Sequence, residues 1–391
     1  MSEWVELKLT EVGSLQRGKS KHRPRYAFHL YNGKYPFIQT GEVRESRKYI
    51  SEFKNTYSEA GLAQSKLWPK NTLCITIAAN IAELGILKFD ACFPDSVIGF
   101  IPDKNKSNLD FVYYTLCHFQ RELKHLGEGS VQDNINLGTF NDIKFMFPSL
   151  AEQKAIASVL SSLDDKIDLL HRQNKTLESM AETLFRQWFV EEAQDDWERK
   201  PLTKIATFTN GLACQKYPPK KGELGLPVLK IKELNSGITD SSDVATKDVK
   251  PDYIVEHGDI IFAWSASLMV KIWSGERCVL NQHLFNVKSN KFPKWFIYEW
   301  CKYYLDEFIS ISQSHATTMG HIKRKDLDEA IALIPPKDEL DAMDIEMSAL
   351  FESKVHKLRQ IQTLEKLRDT LLPKLMSGEV RVSYTPEEIK Q

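Results

Sequence analysis

Two long stretches of heptad periodicity divide this chain, and each closes a mixed segment of similar length. The first runs from about Leu150 to Phe189 after Pro148, the second from about Lys337 to Leu375 after Pro335 and Pro336. In the first, Ile156, Leu160, Leu163, Ile167, Leu170, Asn174, Leu177, Ala181, Leu184 and Trp188 alternate spacings of four and three. Such spacing lays one apolar seam along a helix and requires a partner helix to cover it. Asn174 is its polar member, and a polar seam residue fixes register and partner number at a cost in stability. In the second stretch Met343, Met347, Leu350, Leu358, Ile361, Leu364 and Leu371 keep a seam that Lys354, Lys357 and Arg368 interrupt. A helix of about 40 residues is about 60 Å long. Two of them paired antiparallel would hold the mixed segments at opposite ends of a rod.

The mixed segments are themselves a repeat. Trp4, Leu9, Val12 and Gly18 match Trp197, Leu202, Ile205 and Gly211; Pro36-Phe37-Ile38 and Glu42 match Pro227-Val228-Leu229 and Glu233. Cys117 matches Cys301, and Pro148 matches Pro335. The register drifts between these blocks, as expected where loops of different length decorate one scaffold. Short strands are predicted at Tyr35 to Thr40, Leu73 to Ala78, Val97 to Ile101, Leu226 to Ile231, Asp259 to Trp264 and Leu284 to Val287. One aromatic-rich helix is predicted in each copy, near Leu109 to Leu126 and Pro293 to Ile311. The fold class expected is α+β, with two pseudo-twofold-related globular domains separated by two long antiparallel coiled-coil helices. The expected boundaries are a first globular domain at 1–148, a central helix at 149–194, a second globular domain at 195–334, a C-terminal helix at 335–376 and a tail at 377–391.

Composition sets limits. No apolar run approaches the roughly 18 to 20 residues of a membrane span, and the opening Met1-Ser2-Glu3-Trp4 is unlike a signal peptide. Six cysteines without a C-x-x-C pair read as reduced core thiols of a cytosolic protein. Net charge is −1, against a simple nucleic-acid binder, but it is unevenly spread: +3 over 1–148, −3 over 149–194, +1 over 195–334 and −2 over 335–391. That suits globular domains on phosphate and helices on protein partners.

Gly13-Ser14-Leu15-Gln16-Arg17-Gly18-Lys19-Ser20 matches the pattern of a phosphate-cradling loop. A working P-loop needs a buried strand before it and a helix after it. Here an amphipathic strand precedes and a basic, proline-broken loop follows. The better reading is a glycine turn that shows Arg17, Lys19, Lys21, Arg23 and Arg25 to phosphate. Lys216, Lys220 and Lys221 occupy the matching loop of the second copy. Methyltransferase tetrapeptides, nuclease clusters and zinc-type histidine pairs are absent from the sequence. Two polar clusters stand out instead: Asn281-Gln282-His283, and Thr317-Thr318-Met319-Gly320-His321 followed by Lys323, Arg324 and Lys325. They are either satisfied turn residues or base-edge readers, since amides pair with adenine and Arg or Lys with guanine. Gln132 and Asn134 are the counterparts in the first copy. The candidate DNA-contacting set is therefore these basic loops with Gln132, Asn134, Gln282, His283, Thr318, His321 and the Lys323-Arg324-Lys325 run.

Several segments resemble one family. Leu184-Phe185-Arg186-Gln187-Trp188-Phe189-Val190 is similar to the end of the central helix in specificity subunits of type I restriction-modification systems. Leu371-Leu372-Pro373-Lys374-Leu375-Met376-Ser377-Gly378-Glu379-Val380 is similar to their carboxy-terminal motif, and Pro148-Ser149-Leu150-Ala151-Glu152-Gln153-Lys154-Ala155-Ile156 to their central-helix entry. Asn281-Gln282-His283 and Thr318-Met319-Gly320-His321-Ile322 resemble motifs of their target-recognition domains; in the first copy Pro94-Asp95-Ser96 replaces the N-Q-H cluster. The resemblance implies a chain without catalysis of its own in a prokaryotic cytoplasm. Each globular domain would read one half of a split, asymmetric double-stranded DNA target. The helices, through Leu163, Ile167, Leu170, Asn174, Leu177, Leu184, Trp188, Leu350, Leu358, Ile361, Leu364 and Leu371, would set the gap and dock two modification (methyltransferase) subunits. Restriction subunits would join that core. S-adenosylmethionine, ATP and Mg²⁺ would belong to the partners, with no cofactor and no metal on this chain. The rival readings are the recognition subunit of another bipartite-site restriction system (type IIB/IIG-like), a non-DNA coiled-coil scaffold, and a P-loop NTPase.

Overall fold

The computed structural model describes residues 4–128, 137–314 and 320–383. Contacts divide the chain into two units, Met1–Asp168 with Leu364–Gln391, and Leu169–Thr363. Each unit thus takes part of both long helices, Leu150–Arg186 and Lys337–Met376.

The units share one topology. In the first, an antiparallel sheet runs in the order Gly13–Arg17, Val97–Pro102, Leu73–Thr76, Leu84–Leu87, with Tyr49–Ile50 added in parallel at the edge. In the second, the order is Thr207–Asn210, Leu284–Lys288, Ile260–Ala263, Met269–Ile272. A second sheet has a parallel central pair with antiparallel flanks in both: Asn55–Tyr57, Tyr31–Phe37, Ala91–Cys92, Leu67–Trp68, and Val244–Ala245, Leu226–Leu229, Cys278–Leu280, Ile254–Val255. A two-stranded ribbon closes each unit, Val5–Leu7 with Phe145–Phe147 and Glu198–Pro201 with Ile331–Ile334. The repeat seen in scattered sequence matches is thus a repeat of strand order.

The central strands explain the layering. Leu73–Thr76 and Ile260–Ala263 are buried at every position, so both faces are covered. Side chains alternate across a strand. Leu73 and Ile75 enter a core with Phe111, Ile156 and Leu160, whereas Cys74 enters another with Ile38, Trp68 and Phe93. Ile260 and Phe262 likewise meet Phe185, Trp295 and Phe351, while Ile261 and Ala263 meet Leu229, Trp273 and Leu280. All six cysteines are unpaired thiols, buried or half-buried.

Some elements differ from the sequence expectation. Thr40 and Ile231 begin short helices, Thr40–Glu45 and Ile231–Ser236, rather than ending strands. The aromatic-rich helix is broken in both units, into Leu109–His118 and Gln120–Glu128, and into Lys294–Tyr303 and Leu305–Ser314. An aromatic residue sits at each break and is held by the ribbon: Phe119 packs on Phe145 at 5.4 Å, and the Tyr304 hydroxyl donates to the Ile331 carbonyl at 2.8 Å.

The long helices pack together within each unit. In the first, Ile156, Ala157 and Leu160 share a core with Leu375 and Met376, and Arg368 binds Asp164 at 3.0 Å. Tyr114 donates to the same carboxylate at 2.6 Å, and the buried Lys48 reaches Asp110 at 2.8 Å and Ser161 at 2.7 Å. In the second, Lys354 and Lys302 converge on Glu178 at 3.2 and 2.6 Å, with the Tyr298 hydroxyl 3.2 Å from it. Lys354 and Arg368 interrupt the apolar seam in sequence; in the structure they supply its cross-helix ion pairs. The buried stripe also leaves the heptad register. Ile156, Leu160, Ile167, Leu170, Asn174 and Ala181 are buried as the seam requires, but Phe185 and Phe189 are buried where Leu184 and Trp188 are only half-buried. A straight helix drifts about 20° per heptad from a 3.5-residue seam, and here it turns toward Trp197, Trp295 and Trp300. Leu163, Leu177, Leu350, Leu358, Leu364 and Leu371 are half-buried, and Ile361 is buried.

Candidate nucleic-acid interface

Polar side chains gather at one and the same end of the main sheet in both units. In the second unit Thr207–Asn210 and Ile260–Ala263 finish there and Leu284–Lys288 starts there. The Asn210 carboxamide oxygen accepts from the Trp264 indole at 3.2 Å. Trp264 stacks on Phe285 at 5.7 Å, lies tilted against His283 at 6.0 Å and packs edge-on with His321 at 6.3 Å. Ser265 Oγ lies 3.0 Å from His283 Nδ1, and Gln282 Nε2 lies 3.4 Å from His283 Nε2. Ser265 and His321 form a β-bridge, and Ala266 N–H donates to the Gly320 carbonyl at 2.8 Å. Two sequence clusters more than thirty residues apart, at 281–283 and 320–321, are thereby joined through Trp264 and Ser265. Gln282, His283 and Trp264 are half-buried, which leaves a wet face to each.

At the equivalent place in the first unit, Arg17 ends its strand and donates to the Asp95 carbonyl at 3.0 Å. Arg25 pairs with the Asp95 carboxylate at 2.9 Å, and Arg44 donates to Asn80 at 3.2 Å. Asp95 and Ser96 occupy the position that Gln282 and His283 hold in the second unit. One scaffold thus presents a guanidinium–carboxylate set in one copy and an imidazole–amide–indole set in the other.

The basic loops leave from the same sheet end. Gly18 and Gly211 open them, and a Cβ at either would lie 2.3 Å from the Pro94 carbonyl oxygen or 2.2 Å from that of Asn281. Glycine is needed there because the loop crosses directly against the partner strand's lead-in. Gly13–Arg17 is a strand, and the next helical turn is the short Phe28–Leu30, so the phosphate-loop pattern does not open a helix. Lys21, Arg23 and Arg25 are exposed; Lys19 is half-buried, its backbone bound to Phe93 and Ser65. Arg23 folds back on the Ser20 and His22 carbonyls at 2.9 Å each. Lys216 and Lys221 are exposed, and Lys220 pairs with Asp248 at 2.5 Å. Lys323, Arg324 and Lys325 lie exposed at the start of the helix Arg324–Glu329, with Lys325 paired to Glu329 at 3.2 Å. Gln132, Asn134 and Thr318 lie outside the described residues.

Sequence reasoning passed over Asn210, Trp264 and Ser265. The signal available was a tryptophan directly after a fully apolar strand, where the strand's own alternation no longer accounts for it. Among the described residues no group of three or more His, Cys, Asp or Glu could hold a metal ion. No helix among them is long and apolar enough to cross a membrane.

The chain is 26% identical over 415 residues to the type I restriction enzyme MjaIX specificity subunit of Methanocaldococcus jannaschii, covering 97% of this chain and 94% of that one. It is 21% identical over 448 residues to the EcoKI specificity subunit of Escherichia coli K12, covering 98% and 90%. Its fold is similar to the crystal structure of a type I restriction-modification S subunit from M. genitalium, with a TM-score of 0.59 at 17% identity, covering 98% of this chain and 97% of that one. Residues 1–179 and 194–366 match the type I restriction modification DNA specificity domain, so the chain belongs to that family and carries its domain twice.

Proposed function

We propose that this chain is the DNA-reading, non-catalytic subunit of a type I restriction-modification complex, and that each unit reads one half of a bipartite target. The observation that carries this is the shared sheet end with unlike side chains: one scaffold, two reading surfaces. Polar groups there enter a groove and contact base edges, while the basic loops hold phosphates and set orientation. Asn210, Trp264, Gln282, His283 and His321 form the second reader; Arg17, Arg25, Asp95 and Arg44 form the first, together with Gln132 and Asn134. The long helices act as an antiparallel coiled-coil spacer related by the pseudo-twofold of the repeat, and they dock two methyltransferase subunits, to which restriction subunits add. S-adenosylmethionine, ATP and Mg²⁺ are bound by those partners in a prokaryotic cytoplasm.

The test is half-site selectivity. Gln282→Ala or His283→Ala should relax one or two base positions of a single half-site, costing about 1–3 kcal/mol per lost base contact. Alanine at Lys323 or Arg324 separates base reading, which relaxes one position, from phosphate contact, which weakens every duplex alike and flattens the salt dependence. If His283→Ala altered both half-sites equally, the assignment of one reader per unit would fail.

A further inference from the structure

The basic loops carry a feature that base reading and phosphate contact leave unexplained. Each ends in a large apolar side chain held out in water. In the first unit Phe28 is 84% exposed and its neighbour Tyr26 77%. In the second, Leu224 is 90% exposed. The two loops are the same connection in the repeated topology, from the outer strand of the main sheet to the second strand of the other sheet. So the feature arises twice on one scaffold, with different residues.

Neither tip is slack chain. Phe28 opens a turn in which Leu30 N–H donates to the Ala27 carbonyl at 3.0 Å, and Ser58 clamps it through its hydroxyl to the His29 carbonyl at 2.7 Å and its amide to the Leu30 carbonyl at 2.8 Å. Leu224 follows Gly222, whose φ of +83° lets the chain reverse. Glu223 anchors that reversal on the Lys220 and Lys247 amides at 2.9 and 3.0 Å and on the Thr246 hydroxyl at 2.9 Å. Presenting an apolar side chain on a rigid turn costs solvation with no return inside the fold. The surroundings select the occupant. Between Gly13 and Leu30 there are five Lys or Arg and no Asp or Glu. The second loop carries Lys216, Lys220 and Lys221, with Glu223 beside its tip and Lys220 paired to Asp248. An apolar tip on a mainly cationic loop, springing from the sheet end proposed to read bases, suits stacked bases behind a phosphate backbone.

We infer that Phe28 and Leu224 are wedges that each enter a base step beside their half-site, unstacking it while the flanking cations hold the phosphates. The inference rests on the DNA-reading assignment above. Wedge residues of this kind take a few kcal/mol of unstacking from the complex and return it as contact with deformed DNA. They would add selectivity for easily unstacked steps, notably pyrimidine–purine steps, at positions no polar side chain touches.

The experiment uses the full chain and duplexes bearing both half-sites, with a single mismatch walked through every step flanking each half. Wild type should bind about tenfold tighter when the mismatch falls at the wedge step, because the unstacking is already done. 2-Aminopurine at that step should brighten on binding. Phe28→Ala should lose both signatures at one half-site and Leu224→Ala at the other, while Phe28→Trp should keep them. Circular dichroism and melting temperature should be unchanged, as both side chains are exposed. Wild-type binding without any step dependence or 2-aminopurine change overturns the wedge alone. Unchanged duplex binding by Phe28→Ala, with loss of a co-purifying modification subunit, overturns it in favour of a protein contact. No duplex binding by wild type overturns both the wedge and the reading beneath it.

Discussion

Asn174 is buried in the first long helix, and neither its amide nitrogen nor its oxygen has a hydrogen-bond partner. A buried unsatisfied polar group costs about 1–3 kcal/mol. Asn174→Leu should therefore raise the unfolding free energy by about that amount, measured by denaturant titration of the full chain. A loss of stability would show that the amide is satisfied in solution by water. Glu299 gives a pH-dependent counterpart. Burial pushes its carboxyl up to about 7 from an ordinary 4.5, although Lys302 and Lys354 pull the other way. The folded state then holds a proton that the unfolded chain has released, so stability falls as pH climbs from about 4.5 to 7 and stays lowered above. Glu299→Gln should be about 3 kcal/mol more stable than wild type at pH 8 and nearly equal to it at pH 4.5. The same difference at both pH values would contradict this account.

At the level of elements, ion pairs across the helices stand where Lys354 and Arg368 interrupt the apolar seam. Asp164 is nearly buried between Arg368 and Tyr114. Asp164→Ala removes the buried partner of Arg368, which keeps its pair with Asp369 at 2.8 Å, and the acceptor of the Tyr114 hydroxyl, and should cost about 1–3 kcal/mol. Asp164→Ala with Arg368→Leu should recover most of it, as read by thermal melting. Failure of the double variant to recover would mean that the carboxylate acts mainly through Tyr114. Element by element, the sequence was legible where a period was long or a residue had no substitute. The heptad marked Ile156, Leu160, Ile167 and Leu170 as buried, and Gly18 and Gly211 marked one crossing in both repeats. The period failed at Phe185 and Phe189 because a heptad assumes a lone partner helix, and here aromatic side chains of the globular unit compete for the face. Of the second sheets only the strands at Tyr35 to Thr40 and Leu226 to Ile231 were read, because strands as short as Ala91–Cys92 or Val244–Ala245 are too brief to show alternation. Of the candidate interface, Gln282, His283 and His321 were legible as polar clusters. Asn210, Trp264 and Ser265 were not, since only the folded sheet end brings them to those residues.

For the whole molecule, the repeated topology presents one scaffold twice, and on the proposed function these are two readers spaced by the long helices. Helix length should then be a ruler. Inserting one helical turn before Asn174, with a matching turn in the second long helix, adds about 5.4 Å. At 3.4 Å per base pair that should lengthen the unread spacer by one or two base pairs and leave both half-sites unchanged. Altered half-sites with an unaltered spacer would contradict the ruler. Two readers on one split target can be seen in the methylome of a methylation-free host that expresses this chain with its modification subunit. A single two-part adenine-methylated motif that disappears when this chain is omitted is the expected result. A continuous motif, or no motif although the two proteins co-purify, would contradict it.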